Sequence, residues 1–108
     1  MEEPTPVDLK RRMRSERERK PHFVYEFYDR TGQALYVGCT VDIPTRLRAH
    51  MTKHWWAFVH DVRFVRYQDR LSGMTAELER IRDLQPLYNV QATDWGNEQV
   101  RERHRRSV

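Results

Sequence analysis

The chain has 108 residues, of which 38% are hydrophobic, 11% aromatic and 33% charged, and its formal net charge is +4. This length fits one domain with a thin core and excludes a second core, since single domains most often have about 100–150 residues. A single cysteine, Cys39, excludes an internal disulfide and a multi-cysteine zinc site. The sequence shows neither a signal peptide nor an apolar run of about 20 residues, which predicts a soluble, cytoplasmic protein away from membranes.

The first predicted unit is a basic N-terminal arm or helix over residues 1–20. Residues 8–20 carry seven basic and three acidic side chains, whereas residues 21–95 carry nine of each. The arm has too few apolar positions for a deep core face, which is typical of a solvated helix or a disordered arm. Its basic side chains either contact nucleic acid or only aid solubility; the candidate contacts are Arg11, Arg12 and Arg14.

Two predicted strands follow. Residues 22–28 are aromatic and β-branched, residues 34–38 form a second short strand pattern, and residues 29–32 supply turn chemistry. The pattern predicts an antiparallel hairpin with a loop of about four or five residues. Because side chains alternate between the two faces of a strand, we expect Tyr25 and Tyr36 to meet on one side of the sheet.

The next segment predicts a helix from an Asp42 N-cap to about Met51, with Ile43, Leu47 and Met51 as its apolar stripe. Arg46 and His50 are four residues apart and therefore lie on one face of this helix. Basic side chains here are candidate nucleic-acid contacts: Arg46, Arg48 and Lys53.

Residues 53–60 contain Trp55 and Trp56 and are interpreted as a loop over the edge of the core. The alternative is a protein-interaction domain that uses both indoles as an exposed anchor. Residues 62–67 alternate apolar and basic side chains, which predicts a third strand.

A second helix is predicted from about Ser72 or Met74 to Leu84, ending before Pro86. Its expected apolar face consists of Met74, Leu78, Ile81 and Leu84. Glu77 falls within this face, where an unpaired carboxylate needs a partner. Residues 87–90 are then a short extended return, and residues 92–108 are a charged C-terminal tail or helix.

One set of side chains has the chemistry for cleaving a phosphodiester: Tyr25, Tyr36, Arg46, His50, Glu77 and Asn89. Glu77 could hold a hard divalent cation such as Mg²⁺, which takes only one or two protein carboxylates and keeps several waters. Arg46 suits phosphate recognition because its planar guanidinium donates two hydrogen bonds at once. Either tyrosine could accept a proton from water if a nearby cation lowered its pKa.

Taken in order, these residues resemble the GIY-YIG nuclease superfamily. The two motifs correspond to Phe23-Val24-Tyr25 and Tyr36-Val37-Gly38, and Pro86 to Asn89 matches a P-x-Y-N pattern. The resemblance covers roughly residues 22–91, within a predicted nuclease domain of residues 21–91. Phe23 departs from it, since it stands where the first motif has glycine.

The resemblance implies an α/β fold, a small sandwich with a three-stranded mixed sheet flanked by helices. It also implies hydrolysis of DNA phosphodiesters that depends on Mg²⁺ or Mn²⁺. The roles it implies are metal binding by Glu77, phosphate binding by Arg46, a general base at Tyr25 or Tyr36, and support from His50 and Asn89. The alternative function is a noncatalytic nucleic-acid-binding module with the same fold. So small a chain has no separate specificity domain, so the tails, residues 53–60 or a partner protein would select the target.

Overall fold

The computed structural model describes residue 3, residues 5–89 and residues 98–107. The elements follow the chain as α1 (Pro6–Arg19), β1 (His22–Tyr28), β2 (Ala34–Thr40), α2 (Ile43–His50), a 3₁₀ helix (His54–Phe58), β3 (Asp61–Tyr67), α3 (Arg70–Leu84) and α4 (Glu98–Ser107). The predicted hairpin, third strand and helix after Asp42 are confirmed, and Asp42 caps α2 by accepting the Thr45 N–H. No helix in the described part of the chain is long and apolar enough to cross a membrane.

The three strands form one sheet in the order β2-β1-β3, and β1 pairs antiparallel with both neighbours. The mixed sheet expected from the resemblance is therefore wrong. The strands β2 and β3 do run in the same direction, but β1 lies between them, so their parallel orientation creates no parallel ladder.

The hairpin turn is held by Asp29, whose Oδ1 accepts hydrogen bonds from the backbone N–H groups of Thr31 and Gln33. Gly32 has a φ of +89°, a left-handed conformation that is available to glycine without a steric penalty. The turn residues of the sequence therefore carry out the role that their composition predicts.

One face of the sheet is covered by α2 and the 3₁₀ helix. The His50 ring contacts the rings of Tyr25 and Phe27, with centroids 5.6 and 5.4 Å away. Trp55 is only 5% exposed and Trp56 packs edge-on against Phe27 at 5.3 Å. Both indoles belong to the core or its margin, so the exposed protein-interaction anchor is wrong.

The opposite face is covered by α3, which begins earlier than predicted. Its N-cap is Asp69, whose side chain accepts the Ser72 N–H. Gly73 lies so close to the sheet that an added Cβ would be 2.9 Å from the His22 Cβ and 3.1 Å from the Cys39 Sγ. The Arg80 guanidinium donates two hydrogen bonds to the Glu26 carboxylate on β1, from Nε to Oε2 at 2.5 Å and from Nη2 to Oε1 at 3.1 Å.

Because of these contacts, α3 presents a different face to the sheet from the apolar face that the sequence predicts. Met74 and Leu78 are 40% and 61% exposed, whereas Ile81 and Leu84 are partly buried. The prediction is thus wrong for the first two residues and confirmed for the last two. The physical reason is the close approach at Gly73 and the ion pair at Arg80, which both turn toward the sheet.

Both ends of the chain pack on this framework. The helix α1 packs against α3, where Arg70 and Glu18 form an ion pair at 3.8 Å. The helix α4 docks on the hairpin through His104, whose Nε2 lies 2.7 Å from the Asp29 Oδ2. The end of the predicted return, Val90, and much of the linker before α4 lie outside the described residues.

Candidate active site

Two tyrosines and a histidine form a cluster between α2 and the β1-β2 hairpin. The Tyr25 hydroxyl lies 2.8 Å from the His50 Nε2. The rings of Tyr25 and Tyr36 stack with centroids 6.1 Å apart, and the Tyr36 ring lies 4.6 Å from the His50 ring. The prediction that the tyrosines share one face of the sheet is confirmed. Tyr25 is only 3% exposed, whereas Tyr36 is partly exposed.

The position of Tyr25 depends on Gly38, a residue to which sequence reasoning assigned no separate role. Gly38 is the cross-strand partner of Tyr25, and an added Cβ would lie 2.2 Å from the Tyr25 hydroxyl oxygen. The tyrosine therefore lies across the bare backbone of β2, with its hydroxyl at the outer side of the sheet. The register of the hairpin, which pairs Tyr25 with Gly38, could have predicted this role for the glycine. Only a residue without a side chain lets the tyrosine ring lie so close to the backbone of the neighbouring strand.

His50 is held in its neutral form. Burial lowers the pKa of His50, and the positive charges of Arg46 and Lys53 lower it further. Its Nδ1 is buried without a hydrogen-bond partner among the described residues. A buried unpaired N–H is rarer and less favourable than an unpaired acceptor, which favours the tautomer with hydrogen on Nε2. In that tautomer His50 donates to the Tyr25 hydroxyl oxygen.

Arg46 and Glu77 act on the same two hydroxyls from different helices. Burial raises the pKa of Tyr36, the charge of Glu77 raises it further, and the charge of Arg46 and a hydrogen bond from Tyr25 lower it. Burial also raises the pKa of Tyr25 strongly, with a further increase from Tyr36 and Glu77 and a decrease from Arg46. The fold thus brings together the cation and the carboxylate that sequence reasoning selected from α2 and α3.

Glu77 is a half-buried carboxylate that has no hydrogen bond or ion pair to any described residue. Burial raises the pKa of Glu77, because the fold removes water from the charged form without supplying a cationic partner. Within the described residues no group of three or more His, Cys, Asp or Glu side chains could hold a metal ion. One unpaired carboxylate fits a hard cation such as Mg²⁺, which keeps most of its water ligands, and does not fit zinc.

Asn89 lies at the outer edge of the sheet, where its side chain imitates a paired strand. Its Oδ1 accepts the Val37 N–H at 2.6 Å, and its Nδ2 donates to the Val37 carbonyl at 2.7 Å. Val37 stands between Tyr36 and Gly38, so Asn89 fixes the backbone that presents both motif residues. The Tyr88 N–H extends this pairing by donating to the Leu35 carbonyl at 2.9 Å.

The remaining basic candidates lie at different distances from the cluster. The charge of Lys53 reaches His50, which places it at the margin of the site. Arg48 instead turns back along α2 and donates to the Thr45 hydroxyl at 3.3 Å. The arginines of the N-terminal arm are exposed on α1, which packs against α3; they are Arg11, Arg12 and Arg14.

The arrangement can bind a phosphate and a cation next to a proton acceptor. Arg46 is exposed and makes no hydrogen bond or ion pair to any described residue, so its guanidinium is available to an oxyanion. Glu77 supplies a hard oxygen ligand, and the tyrosine hydroxyls lie within the fields of both charges. These are the groups that hydrolysis of a phosphodiester requires.

Comparisons with known proteins identify the family and the fold of this chain. The family model of the GIY-YIG catalytic domain matches residues 21–89. Two solved structures with the same fold are point mutants of the GIY-YIG N-terminal endonuclease domain of UvrC from Thermotoga maritima, each bound to the catalytic divalent cation. They are 17% and 18% identical to this chain, with TM-scores of 0.56 and 0.57, and each covers 74% of this chain and 97% of the other.

No curated protein matches this chain. The family model nevertheless extends over more than half of the residues, from before β1 to Asn89. The sequence motifs, the sheet and the tyrosine cluster all fall within that matched region. This protein belongs to the GIY-YIG family.

Proposed function

We propose that this protein is a DNA endonuclease that hydrolyses phosphodiester bonds with Mg²⁺ or Mn²⁺. The observation that carries the proposal is the unpaired, half-buried Glu77 whose charge acts on the same tyrosine hydroxyls as that of Arg46. A noncatalytic binding module has no need for a carboxylate inside a phosphate-binding site, because it would repel the phosphate. A cation bound to the carboxylate would instead attract the phosphate.

In the proposed mechanism Glu77 would hold the cation, and a bound cation would supply stabilisation of the negative charge that develops on the phosphate oxygens. Arg46 binds the scissile phosphate through its guanidinium, and Lys53 adds positive charge at the margin of the site. Both side chains belong to or follow α2, so they approach the phosphate from the same side.

We assign the general base to Tyr36 rather than Tyr25. Tyr36 is partly exposed and can be reached by water, whereas Tyr25 is 3% exposed with its hydroxyl enclosed by Gly38 and His50. The neighbouring Tyr25 hydroxyl also lowers the pKa of Tyr36. Tyr25 therefore acts as a positioning residue, oriented in turn by the His50 Nε2–H.

Asn89 supports the site indirectly in this assignment. The Asn89 side chain makes both of its hydrogen bonds to the Val37 backbone, so it holds β2 in place and does not bind the substrate. The basic residues of α1 and Arg48 would contact DNA outside the site, where they contribute affinity that decreases with salt.

The proposal is tested by cleavage of linear, nicked, flapped and branched DNA with Mg²⁺ or Mn²⁺. We expect nicking or cutting of at least one of these DNAs with either cation, and none when EDTA removes the cation. A control with Ca²⁺ separates binding from chemistry, since Ca²⁺ is larger and binds oxygen ligands less rigidly. A protein inert toward every DNA with both cations would contradict the proposal.

A second prediction concerns the close contact between Gly38 and Tyr25. We expect Gly38→Ala to decrease cleavage by about 10²-fold, because the new methyl group displaces the Tyr25 hydroxyl and breaks its contacts with His50 and Tyr36. Overpacking also costs about 1–3 kcal/mol of stability, which thermal unfolding measures.

The control is Gly73→Ala, which introduces a methyl group on the opposite face of the sheet, where it crowds the His22 Cβ at 2.9 Å and the Cys39 Sγ at 3.1 Å. This contact is milder than the one at Gly38, so we expect a smaller loss of stability, and cleavage at a temperature where both variants are folded should stay near wild type. Equal losses of cleavage in the two variants would mean that Gly38 matters only for stability.

A further inference from the structure

An exposed aromatic pair lies on the sheet beside the tyrosine cluster. Phe64 on β3 is 58% exposed, and its ring packs edge-on against Phe23 with centroids 6.3 Å apart. Phe23 is the residue that departs from the first family motif, where glycine stands. Arg66 is exposed opposite Phe23 in the strand register. Phe64 is the only aromatic ring among the exposed large hydrophobic side chains of the described residues, and its packing on Phe23 beside Arg66 makes this patch a candidate contact surface.

The strand register ties this pair to the candidate active site. Phe64 is the cross-strand partner of Tyr25, and directly opposed residues share a face of the sheet at a strand spacing of about 4.8 Å. The side chains of Phe23, Phe64 and Arg66 therefore lie on the same face as Tyr25. The helix α2 and the 3₁₀ helix cover this face over β1 and β2, while Phe64 and Arg66 stay exposed on β3.

We propose that Phe23, Phe64 and Arg66 form a platform that binds unpaired nucleotides of the DNA next to the scissile phosphate. This inference rests on the proposed nuclease function and specifies its substrate as DNA with a single-stranded segment. A base stacks on the Phe64 ring, and the Arg66 guanidinium pairs with an adjacent phosphate.

An unpaired nucleotide fits this surface better than a duplex does. The faces of bases within a duplex are covered by their neighbours, so an exposed aromatic ring can stack only on a base that has left the helix. Charge agrees with this occupant, because Arg66 lies on the platform and the positive charges of Arg46 and Lys53 lie at the neighbouring site. The platform continues directly into the tyrosine cluster through the Tyr25–Phe64 pair.

The test measures DNA binding without catalysis. The fluorescence anisotropy of a labelled oligothymidine strand and of a labelled blunt duplex of equal length is followed in EDTA. We expect Phe64→Ala to weaken binding of the single strand by about 5- to 150-fold, the range for loss of one stacked base, and to change duplex binding by less than about twofold. Phe64→Trp keeps the aromatic face and should bind the single strand at least as tightly as wild type.

Two control variants lie on the opposite face of the same strand. Val65 is 57% exposed, and Arg63 pairs with Asp61 at 2.9 Å and covers the Tyr28 ring. We expect Val65→Ala and Arg63→Ala to leave single-strand binding near wild type, whereas Arg66→Ala weakens it. Thermal unfolding of each variant separates loss of binding from loss of fold.

Equal weakening of single strand and duplex by Phe64→Ala, or no weakening of either, would overturn the platform. The outcome is independent of catalysis, because EDTA removes the cation. Binding that depends on Phe64 in a protein that never cleaves DNA would leave the platform standing and reject the nuclease. DNA cleavage by a protein whose single-strand binding does not depend on Phe64 would support the nuclease and reject the platform.

Discussion

Replacing Glu77 with glutamine should abolish metal-dependent cleavage, with a decrease of about 10³-fold, while the fold is retained. The expected size corresponds to several kcal/mol of transition-state stabilisation that a bound cation supplies and that an amide oxygen cannot retain. Because burial raises the pKa of Glu77, the charged carboxylate is unfavourable in the folded protein at neutral pH. The amide removes that penalty, so the thermal midpoint of Glu77→Gln should be equal to or above that of wild type.

The matched control is Glu79→Gln, which removes the same charge from an exposed position of α3 two residues away. We expect this variant to cleave DNA like wild type. Binding of Mn²⁺, measured by titration calorimetry, should be lost in Glu77→Gln and kept in Glu79→Gln. Cleavage by Glu77→Gln at the wild-type rate would remove the carboxylate from the mechanism.

The second large effect is expected from Tyr36→Phe, which should decrease cleavage by about 10²- to 10⁴-fold, the usual contribution of a general base. Tyr25→Phe should decrease it less, because Tyr25 acts through Tyr36 in the proposed mechanism. A larger loss in Tyr25→Phe than in Tyr36→Phe would assign the base to Tyr25 instead.

The pH dependence of cleavage provides an independent measurement. Burial and the charge of Glu77 raise the pKa of Tyr36, so the hydroxyl is almost fully protonated at neutral pH. The active form is the deprotonated one, and the cleavage rate of wild type should increase with pH by about tenfold per unit below that pKa. Tyr36→Phe should lose this increase, whereas Glu79→Gln should keep it.

Much of the fold follows from local patterns that act over a few residues. Aromatic and β-branched alternation predicts the strands, the Asp29 to Gly32 segment predicts the turn, and Asp42 predicts the start of α2. Each of these signals is short-range, because caps and turns depend on hydrogen bonds between residues two to four positions apart. Such patterns also place Tyr25 and Tyr36 on one face of the hairpin.

Long-range packing is what local patterns could not predict. The orientation of α3 depends on Arg80, which pairs with Glu26 across a separation of 54 residues, and on the close approach at Gly73. The hydrophobic periodicity of α3 instead favoured a face that includes Leu78, which is exposed. A helix can present either face to a sheet, and only the partners on the sheet decide between them.

Which elements form and which residue types are available for chemistry follow from the amino-acid sequence, because both depend on neighbours along the chain. Packing between distant segments is what brings the charges of Glu77 and Arg46 to the same hydroxyls, lays the Tyr25 ring over Gly38, and pairs Asn89 with the edge of β2. The same packing leaves Phe64 exposed beside Tyr25. These relations are distances between residues remote in sequence, and they exist only once the sheet and its two covering layers have assembled.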